Sequence, residues 1–549
     1  MDHIANNEIN DAFRLNYARI PLKDSAHILH ADALEADWAA LLPPEKCSYI
    51  MGNPPFVGFV WRTAIQQRQF TSLLNSHGVK ASRLDYVAAW FVKAGQYLNG
   101  GGSPLPLAGG AGGGPVDNRN TSEPDSSLPP LTPPASGRGT GNKRIRIAFV
   151  ATNSITQGEQ VAQLWPLLFD RYGLEIAFAH RTFSWGSEAR GKAQVHVVIV
   201  GMAHRDHEPD EKRLFSYPDI KRDPVETRHG ALTAYLFDAK GVANRHLVVN
   251  RAGQSLAGTP RICVGTKPVD GGHYIFDANE RAEFLASEPD AAKAMRPFLG
   301  GHEFINAEGR WILHTADLGP DEIRRMTLVK ERIAAVREFR TKSGGNLARE
   351  LSASPTSYHV TVVPKAPFLV IPEVSSERRE YVPIGWIKPP AIPSNQLLVI
   401  QGAKLWHFGL ITSRPMMAWL SHIGGRLESR FRFSSGLVYN TFPWPDASSA
   451  QRVVIEALAQ AVLDARAAHP TSSLADLYDP DTMPANLRKA HRALDLAVDK
   501  LYRPKPFESD RDRVEHLFGR YEALVNPLER LGVSKNQRVA RKQAKDPAP

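Results

Sequence analysis

Along the first two hundred residues the apolar positions fall in short blocks, and their period switches between strand-like and helix-like. Cys47–Gly52 (CSYIMG) is a short apolar run and predicts a strand. Leu84–Leu98 (LDYVAAWFVKAGQYL) repeats apolar residues at helical spacing. Arg144–Thr152 (RIRIAFVAT) predicts a buried strand, and EQVAQLWPLLFDRYG, from Glu159, predicts the helix after it. Leu174–Arg181 and Ala193–Gly201 predict two further strands. Strands alternating with helices predict a largely parallel, doubly wound α/β sheet that closes near residue 204.

Beyond that point the pattern changes. Residues 205–445 carry short strand-like runs, many prolines and one predicted helix, Asp321–Phe339, as in a mixed α/β domain. Thr356–Val374 reads as two strands joined at Pro364-Lys365, a hairpin. Residues 446–549 are mostly helical: AQRVVIEALAQAVLDARAAH and ANLRKAHRALDLAVDKLY both place apolar residues three and four apart. The predicted organisation is therefore 1–204, 205–445 and 446–549, with no internal repeat. One stretch interrupts the first block. Residues 100–142 are dominated by Gly, Pro and Ser and predict a disordered insert. Their glycines lack the fixed spacing and the following helix of a nucleotide-cradling loop.

Composition narrows the class. At roughly 150 residues per domain, a chain of 549 residues implies several domains. The apolar fraction of 42% is ordinary for a globular protein. No apolar run reaches the roughly 18 residues of a membrane span, and MDHIANNEIND is not a secretory signal. Two distant cysteines, Cys47 and Cys263, make neither a zinc site nor a disulfide framework, which suits a reducing cytoplasm. The net charge of +10 favours a polyanionic partner, DNA first among them.

The sharpest chemical signal is Asn53-Pro54-Pro55-Phe56, directly after the first strand. In doubly wound sheets, ligands bind beyond the carboxyl ends of strands. An Asn side-chain oxygen and a proline-preceded carbonyl can both accept from an exocyclic NH₂ and direct its lone pair at an electrophilic methyl group. The prolines stiffen the loop, and Phe56 offers a face for a base. The alternative is a plain proline-stiffened strand exit, such as Pro43-Pro44 nearby.

On these residues the chain resembles the N6-adenine DNA methyltransferases, particularly the large single-chain type II restriction–modification (type IIG/IIL-like) enzymes. The resemblance implies a class I, Rossmann-like S-adenosyl-L-methionine-dependent sheet, followed by a target-recognition domain and a helical region. It makes 53–56 the catalytic loop and double-stranded DNA the partner, with the target base flipped out of the helix. Asp32, Ala33 and Leu34 (HILHADALEADW) resemble the contact to the cofactor's adenine, and Asp85 the helix beside the cofactor; either Asp also reads as a helix cap. TNSITQGEQ resembles the family's next loop. RTFSWGSEARGKAQVHVVIVG resembles its base-pocket hairpin, in which Trp185 or Phe183 stacks on the extruded base; both rings also read as core. GGRLESRFRFSSG sets Arg426, Arg430 and Arg432 among Phe431 and Phe433, as DNA-binding arginines or as a solvated basic turn over two core rings. The basic tail adds Lys535, Arg538, Arg541, Lys542 and Lys545, with phosphate affinity as one reading and a common disordered end as the other.

Neither the family's glycine-rich cofactor loop nor its ribose-binding acid appears before Asp32. By resemblance the chain reads as an N-terminally truncated enzyme, with little activity until the missing part is supplied. Its alternatives are an inactive DNA-recognition fragment or one half of a split enzyme paired with a separate N-terminal half. Asn in the motif favours adenine over cytosine N4, and neither cysteine has the Pro-Cys context of C5 chemistry. A small-molecule or protein-glutamine methyltransferase leaves the second domain without a role. No metal site is expected.

Overall fold

In β2 (Arg146–Thr152) every second side chain is apolar and faces inward, so Ile147, Phe149 and Ala151 are buried while their neighbours are half-buried. The computed structural model describes residues 27–75, 84–99, 144–185, 195–217, 223–427 and 429–526. The opening segment, the insert at 100–142 and the basic tail lie outside these residues.

β2 lies inside a six-stranded sheet of order β1-β2-β4-β3-β5-β6. The other strands are β1 (Tyr49–Gly52), β3 (Leu174–Trp185), β4 (Val195–His204), β5 (Lys212–Ser216) and β6 (Val225–His229). The expected largely parallel sheet is corrected here. Among the described residues β1–β2 and β3–β5 are parallel, whereas β2–β4, β3–β4 and β5–β6 are antiparallel. The reason lies in the connections: β3 and β4 follow each other too closely for a crossover helix, and a short link joins only antiparallel neighbours. The sheet also runs past residue 204, because β5 and β6 extend its edge. Gly201 in β4 is needed for close packing, since a Cβ there would stand 2.0 Å from the Phe178 ring on β3.

Helices α1 (Ala64–Asn75), α2 (Ala88–Leu98) and α3 (Glu159–Pro166) flank the sheet. The predicted helix after β2 continues beyond Pro166 as a wider turn, Leu167–Arg171. β1 pairs with β2 alone among the described residues, and its Tyr49 and Met51 are exposed.

The second region contains two four-stranded sheets. β8 (Ile275–Phe276), β9 (Met295–Leu299), β10 (Trp311–Leu313) and β14 (Ile392–Pro393) form one; β7 (Ile262–Val264), β11 (Phe368–Pro372), β13 (Gly385–Ile387) and β15 (Leu397–Gln401) form the other. The hairpin expected at 356–374 is absent. β11 pairs with β13 and β15 instead. Ahead of it, Val362 is pinned by Thr266, whose Oγ1 accepts from the Val362 N–H at 2.9 Å, and Pro364 and Pro367 cannot donate to a ladder. The helix expected at 321–339 is two, Pro320–Arg325 and α4 (Thr327–Lys342), because Met326 between them is extended. Arg340 of α4 is fully buried and donates to the carbonyls of Pro268, Val269, Leu351, Ser354 and Ser357.

Three short strands, β12 (Val374–Ser375), β16 (Gly425–Leu427) and β17 (Arg430–Arg432), form a small sheet, and α5 (Leu405–Ile411) and α6 (Arg414–Ile423) lie between β12 and β16 in the chain. The C-terminal helices are α7 (Ser449–Ala467), α8 (Ala485–Tyr502) and α9 (Asp510–Val525). Glu522 of α9 accepts from the backbone N–H groups of Ala243 and Asn244, at 2.8 and 2.7 Å, and ties this end to the chain leaving the large sheet.

Candidate active site and DNA-facing residues

The strand register brings one end of the large sheet together. Thr152 of β2 pairs with Val197 of β4, Val197 with Phe183 of β3, and His180 of β3 with Phe215 of β5. β1 runs parallel to β2, so Asn53 leaves at the same end. Asn53 is exposed, and its side chain makes no hydrogen bond among the described residues. Pro54 is buried, Pro55 exposed and Phe56 half-buried. The loop is pinned from behind: the Val57 N–H donates to Pro55 O (3.2 Å), Val57 O accepts from the Tyr86 N–H (2.9 Å), and the Trp61 N–H donates to Gly58 O (2.9 Å). The tetrapeptide is thus a stiff loop that presents an amide and part of an aromatic face.

Asp85 stands beside this loop and is buried. Its Oδ2 accepts from Thr152 Oγ1 at 3.1 Å and from Ser154 Oγ, both in the segment at the end of β2, while its N–H donates to Gln160 Oε1 at 2.9 Å. Asp85 therefore ties the entry to α2 to the loop that follows β2. Arg62 lies over the Phe70 ring at 4.1 Å. Burial lowers its pKa, and Asp85 and Tyr86 oppose that shift.

Asp32 is exposed in a turn ahead of β1. Its Oδ1 accepts from the Leu34 N–H (2.9 Å) and its Oδ2 from Gln69 Nε2 (3.0 Å). Gln69 Oε1 in turn accepts from the Tyr86 hydroxyl at 2.8 Å. Burial raises the Tyr86 pKa, and Asp32 and Glu35 add to the effect. Ala33 O accepts from Trp38 Nε1 (2.8 Å), and the carbonyl of buried Leu34 accepts from Lys93 Nζ (2.9 Å). Gln69 and Tyr86 went unnoticed in the sequence, where each reads as one more residue of a helix face.

Phe183 is half-buried, stacked with Tyr217 at 5.0 Å between centroids and edge-on to His180 at 6.2 Å. Trp185 closes β3, with its backbone paired to Val195; its side chain lies outside the described residues. Among the three arginines, Arg430 and Arg432 are exposed on β17. Arg432 donates to Glu373 Oε1 from Nε (2.9 Å), with Nη2 at 2.8 Å from the same oxygen. Arg426 turns inward: it lies 4.2 Å over the Phe431 ring and donates to Ser429 O at 2.8 Å. Phe431 and Phe433 are both buried. Among the described residues no helix is long and apolar enough to cross a membrane.

A mixed sheet with an Asn-Pro-Pro-Phe loop at its strand ends, joined to a region rich in small sheets and then to a helical one, is a modular build, and each module has its own match. Residues 1–105 and 138–216 match the family described as the MmeI DNA-methyltransferase domain, 243–446 the MmeI target recognition domain, and 447–529 the MmeI C-terminal domain. The chain is 31% identical over 528 residues to DNA methyltransferase A of Bacillus subtilis (strain 168), covering 96% of this chain and 53% of that protein. The structure of the type IIL restriction–modification enzyme MmeI in complex with DNA superposes with a TM-score of 0.79 at 40% identity. It covers 95% of this chain, which spans 63% of that one. The chain belongs to the MmeI family of type IIL restriction–modification enzymes.

Proposed function

We propose that this chain transfers a methyl group from S-adenosyl-L-methionine to adenine N6 in double-stranded DNA, by flipping the base, within a cytoplasmic restriction–modification system. Residues 1–229, through the last strand of the large sheet, form the catalytic part, those from there to 445 read the target and 446–549 buttress both. The carrying observation is Asn53: an exposed side chain without a hydrogen-bond partner among the described residues, on a loop held rigid from behind, in the segment that matches a DNA-methyltransferase domain.

The residues present fit the adenine end of the cofactor. A carboxylate offers about four lone-pair sites. Asp32 uses two of them internally and is exposed, so it retains acceptors for an adenine amine. When bound, S-adenosyl-L-methionine supplies an electrophilic methyl group. Asn53 Oδ1 and a proline-preceded carbonyl accept from the target amine and turn its lone pair outward. Phe56 stacks on the extruded base, with Phe183 or Trp185 opposite, and after transfer the nitrogen loses a proton to water. The exposed arginines of β17, Arg430 and Arg432, contact DNA, together with Arg426 behind them.

The test is labelled methyl transfer to duplex DNA followed by nucleoside analysis. N6-methyladenine is the expected product, and methylcytosine would overturn the base assignment. A second reading makes catalysis depend on a separate polypeptide docked along β1. It is favoured by the exposed Tyr49 and Met51 on an edge that pairs with no further strand among the described residues. In that reading transfer appears only on supplementation, and the chain alone binds DNA.

A further inference from the structure

A pocket of about 210 Å³ opens where three parts of the chain meet. Gln157 comes from the loop after β2, Arg181 from β3, Ser216 and Tyr217 from the end of β5, and His422 and Arg426 from α6 and β16. The backbone closes tightly beside it. The Gly158 N–H donates to Ile423 O at 3.1 Å, and a Cβ on Gly158, whose φ is 73°, would stand 3.0 Å from the Gly425 Cα. The sheet and the α6–β16 corner are thus locked together at the pocket wall.

Its lining is cationic, with no carboxylate among the lining residues. Among the described residues Arg181 uses only Nε, on Leu236 O at 2.8 Å. Arg426 bonds to carbonyls; Glu377 faces Arg426 and Glu515 faces Arg181 at longer range, but among the described residues neither guanidinium has a carboxylate within salt-bridge distance. Among the described residues, Gln157 Nε2 and Ser216 Oγ are buried without a hydrogen-bond partner. Burial pushes both arginines down to about 10, so both stay charged at neutral pH. Burial also pushes His422 down to about 4, leaving it neutral. Buried charge and orphaned polar groups are costly unless something answers them. A tetrahedral oxyanion answers all of them together, and guanidinium forks match phosphate oxygens.

Position selects the source. The pocket sits at the end of the sheet that carries Asn53, and β3 lies three strand spacings from β1, roughly 14 Å at about 4.8 Å each. We infer that Arg181, Arg426, Gln157 and Ser216 grip one backbone phosphate of the DNA strand whose base is presented to Asn53, at a nucleotide outside the flipped one. The inference rests on the proposed action on DNA. The grip positions the strand and reads no base.

Fluorescence anisotropy of the full chain with duplex DNA, repeated across salt concentrations, tests it. Arg181→Gln is expected to weaken binding about tenfold and to lower the salt slope by about one. Ser216→Glu sets a carboxylate among the arginines without removing a native bond. It is expected to weaken DNA binding as much while the melting temperature holds or rises, so a folding defect in Arg181→Gln cannot mimic the result. Unchanged slopes in both variants overturn the inference. So does an adventitious-anion pattern, in which inorganic phosphate raises the wild-type melting temperature but neither variant loses DNA affinity. Absence of duplex binding by the wild type would instead sink the proposed function.

Discussion

Replacing Asp85 by Ala removes the carboxylate that joins the entry of α2 to the end of β2, and the consequences can be sized. Two hydroxyls, Thr152 Oγ1 and Ser154 Oγ, donate to the same buried oxygen. A hydrogen bond to a charged group contributes about 1.5–3 kcal/mol, and orphaned partners carry a desolvation cost of similar size. Both bonds share one acceptor, so they do not add fully; the net local loss is about 3 kcal/mol. Asp85→Asn keeps an oxygen for the same two donors and should lose about 1 kcal/mol. The residue after Asp85 holds the carbonyl that follows the Asn-Pro-Pro-Phe segment, through the Tyr86 N–H to Val57 O bond, so the loosening reaches residues 53–58. A chain with several modules need not unfold in one step, which makes hydrogen exchange a better readout than a global melt. In Asp85→Ala, amides near 57 and 86 should exchange about a hundredfold faster, while Asp85→Asn changes by about tenfold or less. Equal exchange in Asp85→Ala and wild type would refute the scaffold role. That outcome would return Asp85 to the cofactor contact that the family resemblance suggests.

How much was legible in the sequence depended on what a residue does. Where burial alone sets an element, the pattern sufficed: ANLRKAHRALDLAVDKLY coincides with α8, Ala485–Tyr502, and RIRIAFVAT contains β2. α9 fell within the span expected to be mostly helical but was not singled out, because DRDRVEHLFGRYEALV is crowded with charge, although Val514, Leu517, Phe518 and Tyr521 mark a buried face at helical spacing. Strand direction was not legible, because apolar alternation is the same in parallel and antiparallel neighbours. The Asn-Pro-Pro-Phe loop stood out because proline and asparagine side by side after a strand have few other uses. Asp85 stood out only through resemblance, since its hydroxyl partners lie 67 and 69 positions away. Arg181 gave no signal at all: in β3 it reads as a polar residue of an alternating strand, and its pocket needs Arg426 from another module.

Asn53→Ala is expected to abolish methyl transfer while duplex affinity stays within about twofold, since one exposed side chain away from the phosphates contributes little to binding. Parallel transfer and anisotropy measurements check this, and retained transfer would remove Asn53 from the mechanism. Arg430→Ala and Arg432→Ala should each weaken duplex binding and lower its salt slope, and the Arg432→Ala effect should grow when Glu373, which holds that guanidinium, is replaced by Gln; titration across salt concentrations checks this. The last expectation concerns Asp495 on α8, which accepts from the Tyr381 hydroxyl (2.6 Å) and the Arg414 N–H (2.7 Å). Burial raises its carboxyl to about 7, with Asp499 adding to the shift and the two donors and the Arg414 charge opposing it. A carboxyl raised in the folded state keeps its proton while the unfolded chain ionises. Stability therefore falls as pH climbs from the ordinary aspartate range through about 7, and levels off above it. Asp495→Asn has no such titration. It loses one acceptor, so it should be less stable than wild type at pH near 5, and the gap should shrink by on the order of 2–4 kcal/mol toward pH near 8. Hydrogen exchange in α8 at the two pH values, corrected for the intrinsic rate, reads the gap directly. A gap that is constant or widens with pH would mean that Asp495 is ionised throughout, held by Arg414 rather than protonated by burial.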